Sequence, residues 1–106
     1  MLSPTDRITA PEFRRRVAAV VRVRQVWVFG SRARGDAEQD ADLDVFVEVE
    51  DVSPEQRQRI SDLAWEVGSA RDLVISTTVS TRAQLEEGPI GASPLVLNVR
   101  REGVPV

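Results

Sequence analysis

Residues Gly30 to Asp44 read GSRARGDAEQDADLD: a Gly-Ser pair, ten residues, then two aspartates separated by Leu43. An apolar run, Val26-Trp27-Val28-Phe29, leads in, and a second, Val45-Phe46-Val47-Glu48-Val49, leads out. This order predicts a strand, a tight turn opening a short helix, a polar loop, and a second strand carrying two carboxylates at its start. By the two-residue period of a strand, Leu43, Val45, Val47 and Val49 share one face, and Asp42, Asp44 and Phe46 share the other.

The neighbouring segments complete an α/β pattern. Upstream, residues 1–8 read as a loose lead, and Thr9, Pro11 and Glu12 read as the start of a helix over roughly 10–22 with Phe13, Val17, Val20 and Val21 as its apolar set. The first strand is placed at Gln25–Phe29 and the second at Leu43–Glu50, with Ser31 as cap of the short helix between them. Downstream, Ser53-Pro54-Glu55-Gln56 starts a helix with the stripe Ile60, Leu63, Ala64 and Val67, closed by Gly68. A third strand is expected over Asp72–Val79, a short helix from Ser80 or Thr81 to about Glu87, and a last helix from Ser93-Pro94 to Gly103. The whole of 1–106 reads as one domain.

Composition narrows the chemistry. The chain has no Cys, no His and no Tyr, and all 14 basic residues are Arg. Disulfides, thiolate metal sites, His-based general bases and Lys-based chemistry are therefore excluded within it. Carboxylates, hydroxyls, arginines, amides and backbone dipoles remain. The formal net charge of −3 conceals a segregation: basic residues gather in 1–35 and acidic ones in 36–72. A sequence pI near 5.0 makes free nucleic acid a poor partner. With no apolar run of membrane-spanning length and no signal pattern, a cytoplasmic location is expected.

The site stretch then acquires a chemical reading. Gly30 permits close approach of a ligand to the backbone, and N–H groups at a helix start suit a phosphate. Ser31 adds a hydroxyl, and Arg32 and Arg34 offer forked donors to phosphate oxygens. Carboxylates at positions i and i+2 of a strand, with Cα atoms ~7 Å apart, point the same way and repel unless a cation lies between them. Mg²⁺ is bound through one or two carboxylates plus substrate phosphates, and paired ions stand ~3.5–4 Å apart. Asp72, at the start of the third strand, is the expected third ligand, placed to take the proton of an attacking hydroxyl.

Gly-Ser-x10-Asp-x-Asp, with the local text GSRARG, resembles the minimal nucleotidyltransferases of the DNA polymerase β superfamily. The resemblance covers roughly residues 25–79 and, more loosely, Ser93–Val106. It implies a nucleotidyltransferase fold: a small mixed sheet of about three to four strands flanked by helices. It also implies two Mg²⁺ ions and transfer of a nucleoside monophosphate, AMP from ATP, to a hydroxyl. Members are often encoded beside a HEPN-type RNase and act as its antitoxin by adding AMP to a toxin tyrosine. Gly30, Ser31, Arg32 and Arg34 would then bind nucleotide, and Asp42, Asp44 and Asp72 would bind metal. The chain departs from the pattern twice. Ala41 stands where Ser or Thr often precedes the first Asp, and Arg71 rather than Val precedes Asp72.

Other readings fit less well. An EF-hand beginning at Asp36 or Asp40 would need Gly at Ala41 or Val45, and a Walker loop would need a Gly-Lys-Ser/Thr that the sequence lacks. Arg34-Gly35-Asp36 is an adhesion-type tripeptide without supporting context. Two functional alternatives stand: a binding module that neutralises its partner by contact, with the Arg-rich first helix as its docking face, or a nucleotidyltransferase acting on a small molecule.

Overall fold

The computed structural model describes residues 2–106. Helix α1 (Pro4–Ala18) is followed by β1 (Val23–Phe29), α2 (Gly30–Arg34), β2 (Leu43–Val49), α3 (Pro54–Ala70), β3 (Ile75–Thr81), α4 (Arg82–Glu87), a 3-10 turn (Pro89–Ala92), α5 (Pro94–Glu102) and β4 (Val104–Pro105). The sheet has the order β3-β2-β1-β4. β1 pairs antiparallel with both β2 and β4, and β2 pairs parallel with β3, so the sheet is mixed.

Alternation along the two central strands sorts their side chains into two cores. Val26, Val28, Leu43, Val45, Val47 and Val49 point to one face, where α1 supplies Phe13 and Val17 and α3 supplies Ile60, Leu63 and Val67. The opposite face carries Phe46, which packs with Leu85 of α4, Val96 and Val99 of α5, and the flanking Trp27 and Phe29. This second core is small. It leaves the start of β2 on that face, where Asp44 stands, free for polar groups.

Several boundaries differ from the sequence expectation for identifiable reasons. α1 begins at Pro4, not near residue 10, because Ser3 caps it and Pro4 fits the first turn. Thr9, expected to be the cap, is buried mid-helix and donates its hydroxyl to the Thr5 carbonyl at 2.7 Å. α3 runs through Gly68 to Ala70, and the Gly68 carbonyl then accepts from both Arg71 and Leu73 as the chain turns. β3 therefore begins at Ile75 rather than Asp72. β4 was not expected: it is two residues long and contains a proline, which leaves no periodic signal. The expected caps at Ser53, Thr81 and Ser93 are present, the first two as complete capping boxes.

Among the described residues, no helix is long and apolar enough to cross a membrane.

Candidate active site

The site is assembled where β1 ends and β2 begins. Antiparallel register sets Phe29 opposite Asp44, so the residue after β1, Gly30, lies beside that carboxylate. Gly30 has a left-handed φ of 77°. A Cβ there would overlap an Asp44 carboxylate oxygen. Glycine is thus required twice, by conformation and by the acid that occupies the space a side chain would fill.

Helix α2 opens at this turn. Elsewhere Ser3, Ser53, Thr81 and Ser93 each cap a helix with a side-chain oxygen; Phe29, at the cap position of α2, provides none. Ser31 was expected to cap this helix but lies inside it. Its hydroxyl, half-buried, has no hydrogen-bond partner among the described residues. Gly35 ends the helix in the left-handed region, donating to the Ser31 carbonyl.

Asp42 is exposed immediately before β2, and Asp44 is half-buried in its first turn of pleat. The Asp44 carboxyl is held above the ordinary aspartate range, first by burial and then by the negative charge of Asp42; Arg34 partly opposes this. Two hard oxygen donors, one partly dehydrated and both of one sign, form a donor set suited to a divalent cation. The space they leave against Gly30 is large enough only for a residue without a side chain.

The two arginines behave differently. Arg34 is exposed and pairs with Asp36 at 3.3 Å and Glu102 at 3.1 Å. Its proton is held more tightly than usual, chiefly through Asp36. Arg32 is mostly buried and is bonded to Asp6 at 2.9 Å and to the Ala41 carbonyl at 2.8 Å. The partner Asp6 was read in the sequence as part of a loose lead. The signal available was the capping pattern Ser3-Pro4-Thr5-Asp6, which would have started the helix there.

Asp72 stands apart. It is an exposed residue with a left-handed φ of 58° in the turn between α3 and β3. It lines a groove with Ser61, Trp65 and Val74 rather than joining the other two acids. Among the described residues no group of three or more Asp, Glu, His or Cys side chains could hold a metal ion. The expectation that Asp72 opens β3 and converges with Asp42 and Asp44 does not hold. The residue of β3 paired with Asp44 is Ser76, and Thr78 pairs with Phe46.

Comparison with known proteins gives concordant results. The family model described as a nucleotidyltransferase domain matches residues 9–102. A search of the curated proteins gives no match. Among solved structures, one assigned as a minimal nucleotidyltransferase is similar at 26% identity and a TM-score of 0.65, covering 100% of this chain and 97% of the other. A toxin–antitoxin complex with AMP-PNP is similar at 20% identity and a TM-score of 0.62, covering 92% and 68%. The tri-AMPylated Shewanella oneidensis HEPN toxin in complex with its MNT antitoxin is similar at 16% identity and a TM-score of 0.58, covering 94% and 70%.

Proposed function

We propose, for a chain that belongs to the nucleotidyltransferase domain family, that it transfers AMP from ATP to a hydroxyl of a partner protein. The partner is a HEPN-type toxin, and the transfer is an antitoxin activity. One observation carries this reading: Asp44 packs against Gly30 at a helix start without a side-chain cap, with Asp42 two residues before it, just ahead of β2. The neighbours of the same fold support the choice of partner and nucleotide, being a toxin–antitoxin complex with AMP-PNP and an AMPylated HEPN toxin with its antitoxin.

In this reading the residues divide the work by chemistry. The backbone at Gly30 and the Ser31 hydroxyl bind the triphosphate, and Arg34, already at the rim, exchanges an exposed acid for a phosphate oxygen. Asp42 and Asp44 would hold Mg²⁺. When bound, the metal supplies charge neutralisation for the triphosphate and orients it for in-line displacement. The acceptor oxygen bonds to the α-phosphorus, the bond to the bridging oxygen breaks, pyrophosphate leaves, and the hydroxyl proton passes to solvent. The chain has no His for that proton, and Asp72, in the turn before β3, forms no metal-holding group with Asp42 and Asp44 among the described residues.

The separation of Asp72 also favours a second reading, a binding module that neutralises its partner by contact. Labelled ATP, Mg²⁺ and the protein encoded beside this chain decide between them. The enzyme reading expects label on the partner and release of pyrophosphate, both lost when Asp42 and Asp44 are changed to Asn. Neutralisation that survives unchanged in the double variant would establish contact as the mechanism.

A further inference from the structure

Arg32 lies two residues after Gly30, but its guanidinium is not offered to the turn. It borders a cleft formed with Ser3, Asp6, Gly35 and Glu38. Its Nη1 donates to Asp6 Oδ1 and its Nε donates to the Ala41 carbonyl. Asp6 is only 1% exposed, and its backbone N–H donates to the capping Ser3 hydroxyl, so the carboxylate has a fixed place at the start of α1. A buried carboxylate holds its cation firmly, because either partner left alone would carry an unpaired charge out of water. The planar guanidinium makes both bonds at a fixed angle; an ammonium cannot reproduce that fork.

The other end of this clamp matters to the site. Residues 36–42 contain Asp36, Glu38, Asp40 and Asp42, four like charges of which Asp36 is paired with Arg34. Within the loop, Ala41 donates to the Glu38 carbonyl at 3.1 Å, and beyond it Leu43 donates to the Val74 carbonyl at 2.9 Å. The Arg32 bond to Ala41, anchored through Asp6 at 26 residues' separation, adds a tie immediately before Asp42.

From this we infer that Arg32 is a positioning residue: anchored on buried Asp6, it holds Ala41 and so sets where Asp42 stands beside Asp44. The inference rests on the reading of Asp42 and Asp44 as metal ligands, and it removes Arg32 from the phosphate-binding set. Arg32→Lys and Asp6→Asn test it together, through three readouts. These are amide hydrogen exchange at Ala41 and Asp42, Mn²⁺ affinity by electron paramagnetic resonance, and ATP affinity in EDTA.

Both variants should speed exchange at these two amides while sheet amides keep their protection, and should weaken Mn²⁺ binding by about tenfold. ATP affinity without metal should be unchanged. A phosphate ligand would behave in the opposite way: Arg32→Lys would weaken ATP binding in EDTA, Asp6→Asn would leave or strengthen it, and loop exchange would not move. That pattern would overturn the inference. If Arg32→Lys does not fold, Asp6→Asn alone separates the two patterns. Should the wild-type chain bind neither Mn²⁺ nor ATP, the proposed function fails; exchange at Ala41 and Asp42 still decides whether the clamp exists.

Discussion

At the residue scale, the site depends on one volume that Asp44 fills and Gly30 leaves empty. Gly30→Ala would place a methyl group where the Asp44 carboxylate lies and would force alanine into a left-handed conformation. The backbone part alone costs about 1–2 kcal/mol. The double variant Gly30→Ala/Asp44→Ala should recover the overlap part but not the backbone part. Denaturant unfolding of the four proteins in this cycle measures the coupling directly, and additive effects would contradict the packing described. Asp44→Asn should raise the melting temperature of the metal-free protein, since it relieves the burial and repulsion that hold this carboxyl above its usual range. The same change should abolish Mg²⁺-dependent transfer. The strand-to-helix turn at Gly30 and the place of Asp44 on the face opposite Val45 were legible in the sequence, because the two apolar runs fix both strands and their alternation. The pairing of Arg32 with Asp6 was not legible, because an ion pair 26 residues away in sequence leaves no local trace.

At the element scale, the two faces of the sheet differ in how much they depend on single residues. The larger core distributes its apolar contacts over α1 and α3, whereas the smaller one centres on Phe46, Leu85, Val96 and Val99. Phe46→Ala should cost about 3–5 kcal/mol. It should release α4 and α5 first, seen as faster amide exchange there than in α1 and α3. Uniform loss of protection would show the two cores to be one cooperative unit. Strands β1 and β2 and helices α3 to α5 could be read from periodicity and caps. The start of β3 could not, because α3 continues through Gly68, whose missing side chain lets Leu73 and Ile75 pass close to it as the chain turns. An acid preceding an apolar run looks the same whether it begins a strand or closes the helix before it. The start of α1 was misplaced for a related reason: Ser3 and Thr9 both head cap-like sequences, and only packing of the first turn distinguishes them.

At the scale of the whole molecule, exposed ion pairs tie distant segments together. Arg71, in the turn after α3, binds Glu12 of α1 at 2.7 Å and holds the Glu12 carboxyl below its usual range. The contribution is present above the unfolded pKa of glutamate and is lost as pH falls through the lowered folded value. Glu12→Gln should therefore flatten part of the acid limb of a stability–pH profile, with less effect in high salt. An unchanged limb would place the acid sensitivity elsewhere.

The two margins of the sheet are unlike each other. On the β1 side the last strand is β4, two residues long and ending in a proline that lacks an N–H; on the other side is β3, seven residues without charge or proline, with side-chain partners on the Val79 carbonyl, from Arg57, and on the Thr81 backbone, from Gln84 and Ser80. Short, proline-containing margins resist strand addition, and long uncharged ones invite it. A copy of this chain thus has one margin that accepts a strand and one that refuses it. Its valence for sheet extension is one. Two copies joined through β3 would use both accepting margins and leave β4 at each outer edge.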